Sequence, residues 1–161
     1  MISYAIVSIG DKASQGKRED KSGAIIKEMF NERAHLIHYE TIPDEKDIIQ
    51  TVLRKLSDTM KARLVLTTGG TGFSQRDNTP EATKKVIEKE APGFGEIMRT
   101  EGFKRTPMAI LSRGIAGIRG KTLIINLPGS SRGVRESLEI IMPVLEHGLG
   151  ILKENKDHDA I

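Results

Sequence analysis

The sequence contains no cysteine, and its aromatic residues are limited to four phenylalanines and two tyrosines. The absence of cysteine excludes disulfides, thiolate catalysis and zinc sites built on cysteine, and it agrees with a reducing compartment. Few aromatic rings are available for stacking on nucleic-acid bases, and the 25 basic and 22 acidic residues are mixed along the chain. We therefore expect no nucleic-acid partner. A net charge of +3 is compatible with a polyanionic small molecule.

Long apolar segments are also missing, because no window approaches the ~18 uninterrupted apolar residues of a membrane span. The chain begins Met1-Ile2-Ser3-Tyr4 and enters a strand-like segment directly, so we expect no signal peptide. A length of 161 residues is that of one domain with a proper core. The sequence predicts a single cytoplasmic domain over residues 1–161 without a membrane partner, ending in a polar tail at about residues 153–161.

Apolar segments typical of strands alternate with segments of helical periodicity. Strands are predicted over residues 4–9, 36–41 and 64–67, and a hairpin is predicted to join 115–118 to 122–126. Helices are predicted after Asp20, after the N-cap Asp44, from a hydroxyl cap at Thr79, over 94–103 and beyond Gly129 with a kink at Pro143. This alternation predicts an α/β fold, a single three-layer domain with a mostly parallel sheet flanked by helices.

The segment 67–80, TTGGTGFSQRDNTP, is the strongest candidate for a ligand site. Its glycines let the backbone approach a ligand closely and turn N–H groups toward an anion. Arg76 adds a positive charge, and the helix that begins at Thr79 favours an anion at its N-terminus. An ordinary glycine-rich turn with a solvated Asp77 is the alternative. The segment is long for a connection that typically takes ~2–6 residues, which favours a site.

Two carboxylates, Asp44 and Asp77, each lie just past a predicted strand and just before a predicted helix. A carboxylate after Pro43 is more often a simple helix N-cap than a catalytic group. Parallel sheets, however, bind ligands beyond the carboxyl ends of their strands. We therefore expect Asp44 and Asp77 to converge on the same edge of the sheet.

Three other segments carry weaker signals. Gly120-Lys121-Thr122 mimics the end of a P-loop, but Ile115 stands where the first glycine belongs and the segment leads into a strand. His35 and His38 would point to opposite faces of a strand, so they cannot share a metal. The segment 126–131, NLPGSS, reads mainly as a turn with a serine helix cap. Its place at the carboxyl end of a strand keeps a ligand role open.

Several motifs, taken together, carry a family resemblance. In chain order they are Thr67-Thr-Gly-Gly-Thr-Gly72, Arg76-Asp77, Thr79-Pro80-Glu81-Ala82-Thr83, Pro92-Gly93, Leu111-Ser112-Arg113 and Asn126-Leu-Pro-Gly129. They resemble the MogA/MoaB-type family of molybdenum cofactor biosynthesis. The resemblance extends from Val7 to Leu152, and the joint occurrence of the motifs is highly specific although no single one is decisive.

The resemblance implies molybdopterin adenylyltransferase activity, the Mg²⁺-dependent transfer of AMP from ATP to the molybdopterin phosphate with release of pyrophosphate. The two important aspartates of the family fall on Asp44 and Asp77, which would be catalytic and hold Mg²⁺ directly or through water. The residues expected to bind molybdopterin or ATP are Ser8, Asp11, Gly69, Gly70, Thr71, Gly72, Ser112, Asn126, Pro128 and Gly129. The resemblance also implies a homotrimer and transient contact with other molybdenum cofactor enzymes.

Three positions depart from the family pattern. Gly10 precedes Asp11 where members commonly have serine, Gly102 stands where some have a serine that meets the pterin, and Ser131 replaces a proline. These departures concern individual contacts, because both aspartates and the glycine loop are intact. Two alternatives stay open, a catalytically silent MoaB-like molybdopterin-binding protein and a nucleotide-binding regulatory or structural domain of the same fold.

Overall fold

A computed structural model describes residues 1–154 of the chain. The strands are β1 (Ile2–Ile9), β2 (Ala34–Ile42), β3 (Leu64–Thr68), β4 (Lys89–Glu90), β5 (Ala116–Arg119) and β6 (Thr122–Leu127). The α-helices are α1 (Asp11–Ser14), α2 (Lys21–Phe30), α3 (Lys46–Arg54), α4 (Thr79–Val86), α5 (Pro92–Arg105) and α6 (Ser131–Glu154). Short 3-10 segments cover Asn31–Arg33 and Pro107–Leu111, and a π-helical turn, Lys55–Thr59, continues α3.

The six strands form one sheet in the order β2-β1-β3-β6-β5-β4. β2, β1, β3 and β6 run parallel to one another, whereas β5 is antiparallel to β6 and β4 is antiparallel to β5. The predicted mostly parallel sheet and the predicted hairpin are therefore confirmed. Because four neighbouring strands share one direction, their carboxyl ends and the segments that follow them meet at one edge.

Apolar side chains alternate between the two faces of the sheet, as the period of a strand requires. Along β1, Tyr4 and Ile6 pack into the cluster beneath α2, α5 and α6, whereas Ala5 and Val7 pack into the cluster beneath α3 and α4. Ile6, Ala5 and Val7 have no exposed surface. Helices thus cover both faces, and the three-layer prediction is confirmed.

The helix boundaries differ from the prediction in the middle of the chain. The helix predicted over 94–103 begins at Pro92 and runs to Arg105, because proline is well tolerated in the first helical turn. Pro92 and Gly93 are therefore the first residues of α5, and α4 ends earlier, at Val86. The intervening two-residue strand β4 was not predicted. Pro143 lies inside α6, which continues through it.

The end of the chain is only partly described. Of the predicted polar tail at about 153–161, Lys153 and Glu154 are the last residues of α6, and residues 155–161 lie outside the described part. Within residues 1–154, none of the helices combines the length and the apolar character needed to cross a bilayer.

Candidate active site

Two clefts lie side by side at the carboxyl edge of the parallel strands. The first cleft, about 620 Å³, lies between residues 70–72, α5, the segment 106–114 and the beginning of α6. The second cleft, about 980 Å³, is lined by residues 8–13, 18–22, 68–70 and 129–131. Gly70, Gly129 and Ser130 line both clefts. The candidate site therefore consists of two adjoining clefts, and the three residues common to both form their shared wall.

Glycines form this wall because side chains do not fit there. Gly69 and Gly70 have φ angles of 95° and 69°, in the left-handed region that favours glycine. A Cβ on Gly69 would lie 2.2 Å from the carbonyl oxygen of Ile9. A Cβ on Gly70 would lie 2.2 Å from Oγ1 of Thr79 and 2.7 Å from Oδ2 of Asp44. The glycine loop, residues 69–72, consequently packs in direct contact with its neighbours.

Thr79 ties the first half of the glycine loop to α4. Its hydroxyl donates a hydrogen bond to the carbonyl of Gly69 at 2.9 Å, and its backbone N–H donates to the carbonyl of Gly70 at 3.1 Å. The prediction that this hydroxyl caps α4 is wrong, because the hydroxyl donates to the glycine loop and Asn78 occupies the N-cap position. The predicted helix start at Thr79 and Pro80 is confirmed.

The remaining carbonyls of the loop also face protein donors. The N–H and Nε of Arg113 donate to the carbonyls of Thr71 and Gly72 at 2.8 and 2.7 Å. In a trans peptide the N–H points opposite to the C=O, and no peptide of the described chain is cis. The N–H groups of Gly70, Thr71 and Gly72 therefore point away from these donors, and none of them bonds to a described residue.

Gly69 differs from the rest of the loop in its backbone bonding. Its N–H donates to the carbonyl of Leu127 at 3.3 Å, so this group is not available to a ligand. The donors open to an anion are therefore those of residues 70–72. Gly69 instead supplies part of the wall of the second cleft.

Asp44 packs against Gly70 of the glycine loop, has only 4% of its surface exposed and lines neither cleft. Its Oδ1 accepts a hydrogen bond from the N–H of Asn78 at 3.0 Å, and its own N–H donates to Oδ1 of Asp11 at 3.1 Å. The interpretation of Asp44 as a helix N-cap is wrong, because Glu45 holds that position. Burial raises the pKa of Asp44, the bond from Asn78 opposes this, and the negative charges of Asp77 and Asp11 raise it further.

Asp77 packs against Gly72 of the glycine loop and lines the first cleft. Its Oδ2 accepts a hydrogen bond from the N–H of Ser74 at 3.0 Å. A Cβ on Gly72 would lie 2.8 Å from the same oxygen, so the loop packs against this carboxylate too. The charges of Asp44 and Asp77 interact. The prediction that these two residues converge on one edge of the sheet is confirmed.

These two carboxylates fit a magnesium ion that is held jointly with a ligand. Among residues 1–154, no group of three or more His, Cys, Asp or Glu side chains could hold a metal by itself. Mg²⁺, however, is commonly bound through one or two carboxylates together with substrate phosphates and water. Asp44 and Asp77 each use one oxygen for a hydrogen bond within the described residues, which leaves the second oxygen of each for such a role.

Asp11 joins the second cleft to the glycine loop. It accepts hydrogen bonds from Nε and Nη2 of Arg76 at 3.1 and 2.9 Å, and this ion pair is exposed. The bonds from Arg76, followed by the bond from the N–H of Asp44, lower the pKa of Asp11. The positive charge expected of Arg76 is therefore paired with a carboxylate and does not stand free in the loop.

Ser8 lines the second cleft, but its hydroxyl donates to Oδ2 of Asp20. The same oxygen also accepts a hydrogen bond from the hydroxyl of Tyr39. Oδ1 of Asp20 accepts from the N–H of Gly23 at 3.0 Å, which confirms the predicted cap of α2. Because the hydroxyl hydrogen of Ser8 points to Asp20, Ser8 can offer a ligand its oxygen as an acceptor but no donor.

Asn126 reaches the first cleft, but its side chain is bonded within the protein. Its Nδ2 donates to the hydroxyl oxygens of Thr67 and Thr83, both at 3.0 Å, and its Oδ1 accepts from the N–H of Ile115 at 3.1 Å. Both amide protons are therefore in use. This residue joins β3, α4 and the hairpin beneath the site.

Pro128 and Gly129 form the turn between the two clefts. The carbonyl of Pro128 accepts a hydrogen bond from the hydroxyl of Thr68, and the carbonyl of Gly129 accepts one from the hydroxyl of Ser22, both at 2.7 Å. Ser130 caps α6 by accepting from the N–H of Gly133 at 3.0 Å, as one of the two serines was predicted to do. This turn is held on both sides and forms the rest of the shared wall.

Ser112 and Arg99 supply polar groups to the first cleft. Oγ of Ser112 accepts a hydrogen bond from the N–H of Gly114 at 3.3 Å, which leaves its proton for a ligand. Nη1 of Arg99 donates to the carbonyls of Ser112 and Gly114 at 3.3 and 2.8 Å. Sequence reasoning missed Arg99, because a single basic residue within a helix carries no signal of its own.

The three departures from the family pattern lie at the clefts. Gly102 lines the first cleft, and a Cβ there would lie 2.9 Å from Cβ of Ala109, so glycine lets α5 pack closely on the segment 107–111. Gly10 and Ser131 line the second cleft. The N–H of Gly10 donates to the carbonyl of Ile42 at 3.0 Å, which holds the segment after β1 against β2.

Comparison with known proteins assigns the family. A family model described as "Probable molybdopterin binding domain" matches residues 5–147. The molybdopterin adenylyltransferases of Helicobacter pylori strain J99 and Escherichia coli K12 are 47% and 42% identical, over 96% and 89% of this chain and 89% and 77% of their own. The crystal structure of the molybdopterin biosynthesis enzyme MoaB from Thermus thermophilus has a TM-score of 0.90 at 46% identity, over 94% of this chain and 96% of that one. The chain belongs to the molybdopterin-binding-domain family of molybdenum cofactor biosynthesis, of MogA/MoaB type.

Proposed function

We propose that this protein is a molybdopterin adenylyltransferase that transfers AMP from ATP to the phosphate of molybdopterin. The observation that carries the proposal is the junction of two clefts at a glycine loop against which the carboxylates of Asp44 and Asp77 pack. Two clefts suit two substrates, and a shared wall suits a reaction in which the substrates must meet. The names of the relatives at 42–47% identity support the same activity.

The reaction requires the protein to position the two substrates and to stabilise the developing charge. An oxygen of the molybdopterin phosphate attacks the α-phosphorus of ATP and forms a new P–O bond. The bond from that phosphorus to the oxygen bridging the β-phosphate breaks, and pyrophosphate leaves with the electron pair. The nucleophile is already an anion, so no strong general base is needed, and most of the catalysis comes from orientation and electrostatics.

The glycine loop is suited to stabilise the phosphate oxygens. The N–H groups of Gly70, Thr71 and Gly72 are fixed donors that need no rearrangement when charge develops on an oxygen. The N-terminus of α4 lies behind them and adds the positive end of its dipole. We assign the binding of the transferred and leaving phosphates to these three N–H groups.

Asp44 and Asp77 are proposed to hold Mg²⁺, directly or through water. When bound, this ion offsets the repulsion between the two polyanionic substrates. The raised pKa of Asp44 is consistent with such a site, because burial and the negative charges of Asp77 and Asp11 outweigh the hydrogen bond from Asn78 and the charge of Arg76, which is itself paired with Asp11. A cation placed there would favour the ionised form of Asp44.

The proposal extends to the assembly and its location. We propose a cytoplasmic location, since the reaction consumes ATP. We also propose that the protein is a homotrimer. Phe103, Met108 and Ile110 expose 50%, 66% and 60% of their surface next to the first cleft, which gives an association between copies an apolar surface to cover. Light scattering should then report three times the chain mass of 17.8 kDa. A monomer at micromolar concentration would contradict this part of the proposal.

A pyrophosphate assay tests the proposed activity. Protein, ATP and Mg²⁺ are incubated with and without molybdopterin, and the released pyrophosphate is measured. We expect release only when molybdopterin is present. If both substrates bind and no pyrophosphate forms, the chain is a silent molybdopterin-binding protein and the proposed activity is wrong.

A further inference from the structure

Arg113 lies outside the glycine loop, between the segment Pro107–Leu111 and β5, but all of its hydrogen bonds go to residues 71–81. Its N–H donates to the carbonyl of Thr71 at 2.8 Å, and its Nε donates to the carbonyl of Gly72 at 2.7 Å. Its Nη2 donates to the carbonyl of Asp77 at 3.0 Å, and its Nη1 donates to the carboxylate of Glu81. One arginine thus holds three carbonyls around the candidate site.

The direction of these bonds determines the direction of the loop's N–H groups. The carbonyl of Thr71 and the N–H of Gly72 belong to one peptide, so holding the carbonyl on Arg113 turns the N–H to the opposite side. The carbonyl of Gly72 orients the N–H of Phe73 in the same way. Thr79 does this for the two preceding peptides. The carbonyl of Thr71 is held by the backbone N–H of Arg113, whereas the side chain of Arg113 holds the carbonyls of Gly72, at the end of the loop, and of Asp77.

Glu81 fixes the guanidinium in this orientation. Its Oε1 accepts from Arg113, whereas its Oε2 is buried and has no hydrogen-bond partner among the described residues. Burial raises the pKa of Glu81, but the hydrogen bond from Arg113 and the backbone bond lower it below its usual value overall. The Glu81 side chain as a whole is 42% exposed, so solvent screens this ion pair and the pair contributes little to stability. Its main effect is to orient the guanidinium of Arg113.

From these contacts we infer that Arg113 is a positioning residue whose guanidinium holds the carbonyls of Gly72 and Asp77, and so sets the N–H of Phe73 and the place of Asp77 beside the glycine loop. The inference rests on the proposed function and deepens it, because it names the side chain that positions the end of the loop and the candidate catalytic Asp77. Lysine cannot replace arginine in this role. Its ammonium is a compact charge with rotatable donors, whereas the planar fork of arginine reaches several fixed acceptors at once.

A purely structural role for Arg113 predicts different behaviour, and the chain offers a matched control. Arg119 also forms a fork, with Nε and Nη2 donating to Asp58 at 2.9 and 2.8 Å and Nη1 donating to the carbonyl of Val86 at 2.9 Å. Arg119 lines neither cleft. Arg119→Lys therefore measures the general cost of losing such a fork without disturbing the glycine loop.

The test compares Arg113→Lys and Arg119→Lys with the parent protein. Pyrophosphate is the probe, its affinity is measured by calorimetry, and the amide signals of Phe73 and Gly70 are followed by NMR during the titration, with Gly70 as the internal control because Thr79 orients its peptide. We expect Arg113→Lys to weaken pyrophosphate binding about tenfold or more and to abolish the response of the Phe73 amide while that of Gly70 persists. Its kcat/KM should fall about 10²-fold. Arg119→Lys should match the parent in all three measurements.

Pyrophosphate binding in Arg113→Lys within twofold of the parent, with the same amide response, would overturn the inference. If Arg113→Lys does not fold, Glu81→Gln replaces it, since the amide keeps an oxygen acceptor but loses the charge that fixes the guanidinium. We expect pyrophosphate affinity to fall about two- to fivefold in Glu81→Gln. An unchanged affinity in that variant would also overturn the inference.

The same data separate this inference from the proposed function. A parent protein that binds pyrophosphate but does not adenylylate molybdopterin contradicts the proposed function, and the pyrophosphate measurements still decide the role of Arg113. An active parent matched by Arg113→Lys in kcat/KM contradicts only the inference. A parent that does not bind pyrophosphate contradicts both.

Discussion

The two clefts differ in chemistry although they share a wall. The first cleft is lined by glycines and by apolar side chains such as Met98, Met108 and Ile140, with Arg99 among its few charges. The second cleft is lined mainly by polar and charged residues, including Lys12, Arg18, Glu19, Asp20 and Lys21. This difference indicates that the site separates two recognition tasks, one dominated by shape and one by charge. In the proposed reaction, the phosphates of the two substrates would meet at the shared wall.

The largest effect is expected at Asp77, which lines the first cleft beside the glycine loop. Asp77→Asn should lower turnover by about 10²–10³-fold, because one preorganised charge partner is lost. Folding and molybdopterin binding should be preserved. Steady-state kinetics measures the loss, and Asp47→Asn, an exposed carboxylate in the first turn of α3, is the control. Near-parental turnover in Asp77→Asn would remove the catalytic role assigned to this residue.

A second large effect is expected at the shared wall itself. Gly70→Ala places a Cβ between Thr79 and Asp44 in a left-handed conformation, so the fold should lose about 1–3 kcal/mol and the affinity of both clefts should fall together. Gly148→Ala is the control, because its Cβ meets nothing within 4 Å inside α6 and should stabilise by about 0.5–1 kcal/mol. Denaturation and two binding titrations measure these changes. If Gly70→Ala weakened only one cleft, the wall would not be shared.

Asp44 should show a smaller effect of opposite sign on stability. Its raised pKa means that the ionised carboxylate weakens the fold near neutral pH, so Asp44→Asn should raise the Tm while turnover falls. The gain should vanish well below the ordinary pKa of 3.8, where the carboxyl is neutral in the folded and unfolded chain. Thermal melts in chelator-treated buffer across this pH range measure it. A lower Tm than the parent at neutral pH would contradict the account.

The smallest effect distinguishes the two clefts by salt. Added salt screens exposed charges, so the KM of one substrate should rise severalfold with ionic strength and the KM of the other should change little. Lys21→Met should raise the KM of the salt-sensitive substrate about twofold and reduce its salt dependence, whereas Lys55→Met, remote from both clefts, should change neither. Equal salt dependence of the two KM values would abolish the distinction between the clefts.

The sequence predicted the fold and the meeting of Asp44 with Asp77 because both follow from local patterns and from strand direction. It did not predict which partners the polar side chains would bond to. Thr79 has the local signature of a helix cap, but its hydroxyl donates to the carbonyl of Gly69, ten residues away. Arg76 finds its carboxylate, Asp11, 65 positions away.

The same reason explains Asn126 and Arg113. The side chain of Asn126 is bonded to Thr67, Thr83 and Ile115, which lie 59, 43 and 11 positions away, and no turn motif carries that information. The role of Arg113 depends on the carbonyls of another loop, which only the folded backbone brings within reach. Predictions from sequence therefore locate the site better than they assign its contacts, because competition between local and tertiary acceptors is decided in three dimensions.

The most direct test of the central claim follows the phosphorus atoms. Parallel reactions with ATP labelled at the α- or the γ-phosphate are run with molybdopterin and Mg²⁺, and the products are separated. We predict that only the α-label appears on molybdopterin and that the γ-label appears in pyrophosphate. Transfer of the γ-label to molybdopterin, or no transfer of the α-label with both substrates bound, would contradict the proposed adenylyl transfer at the glycine loop.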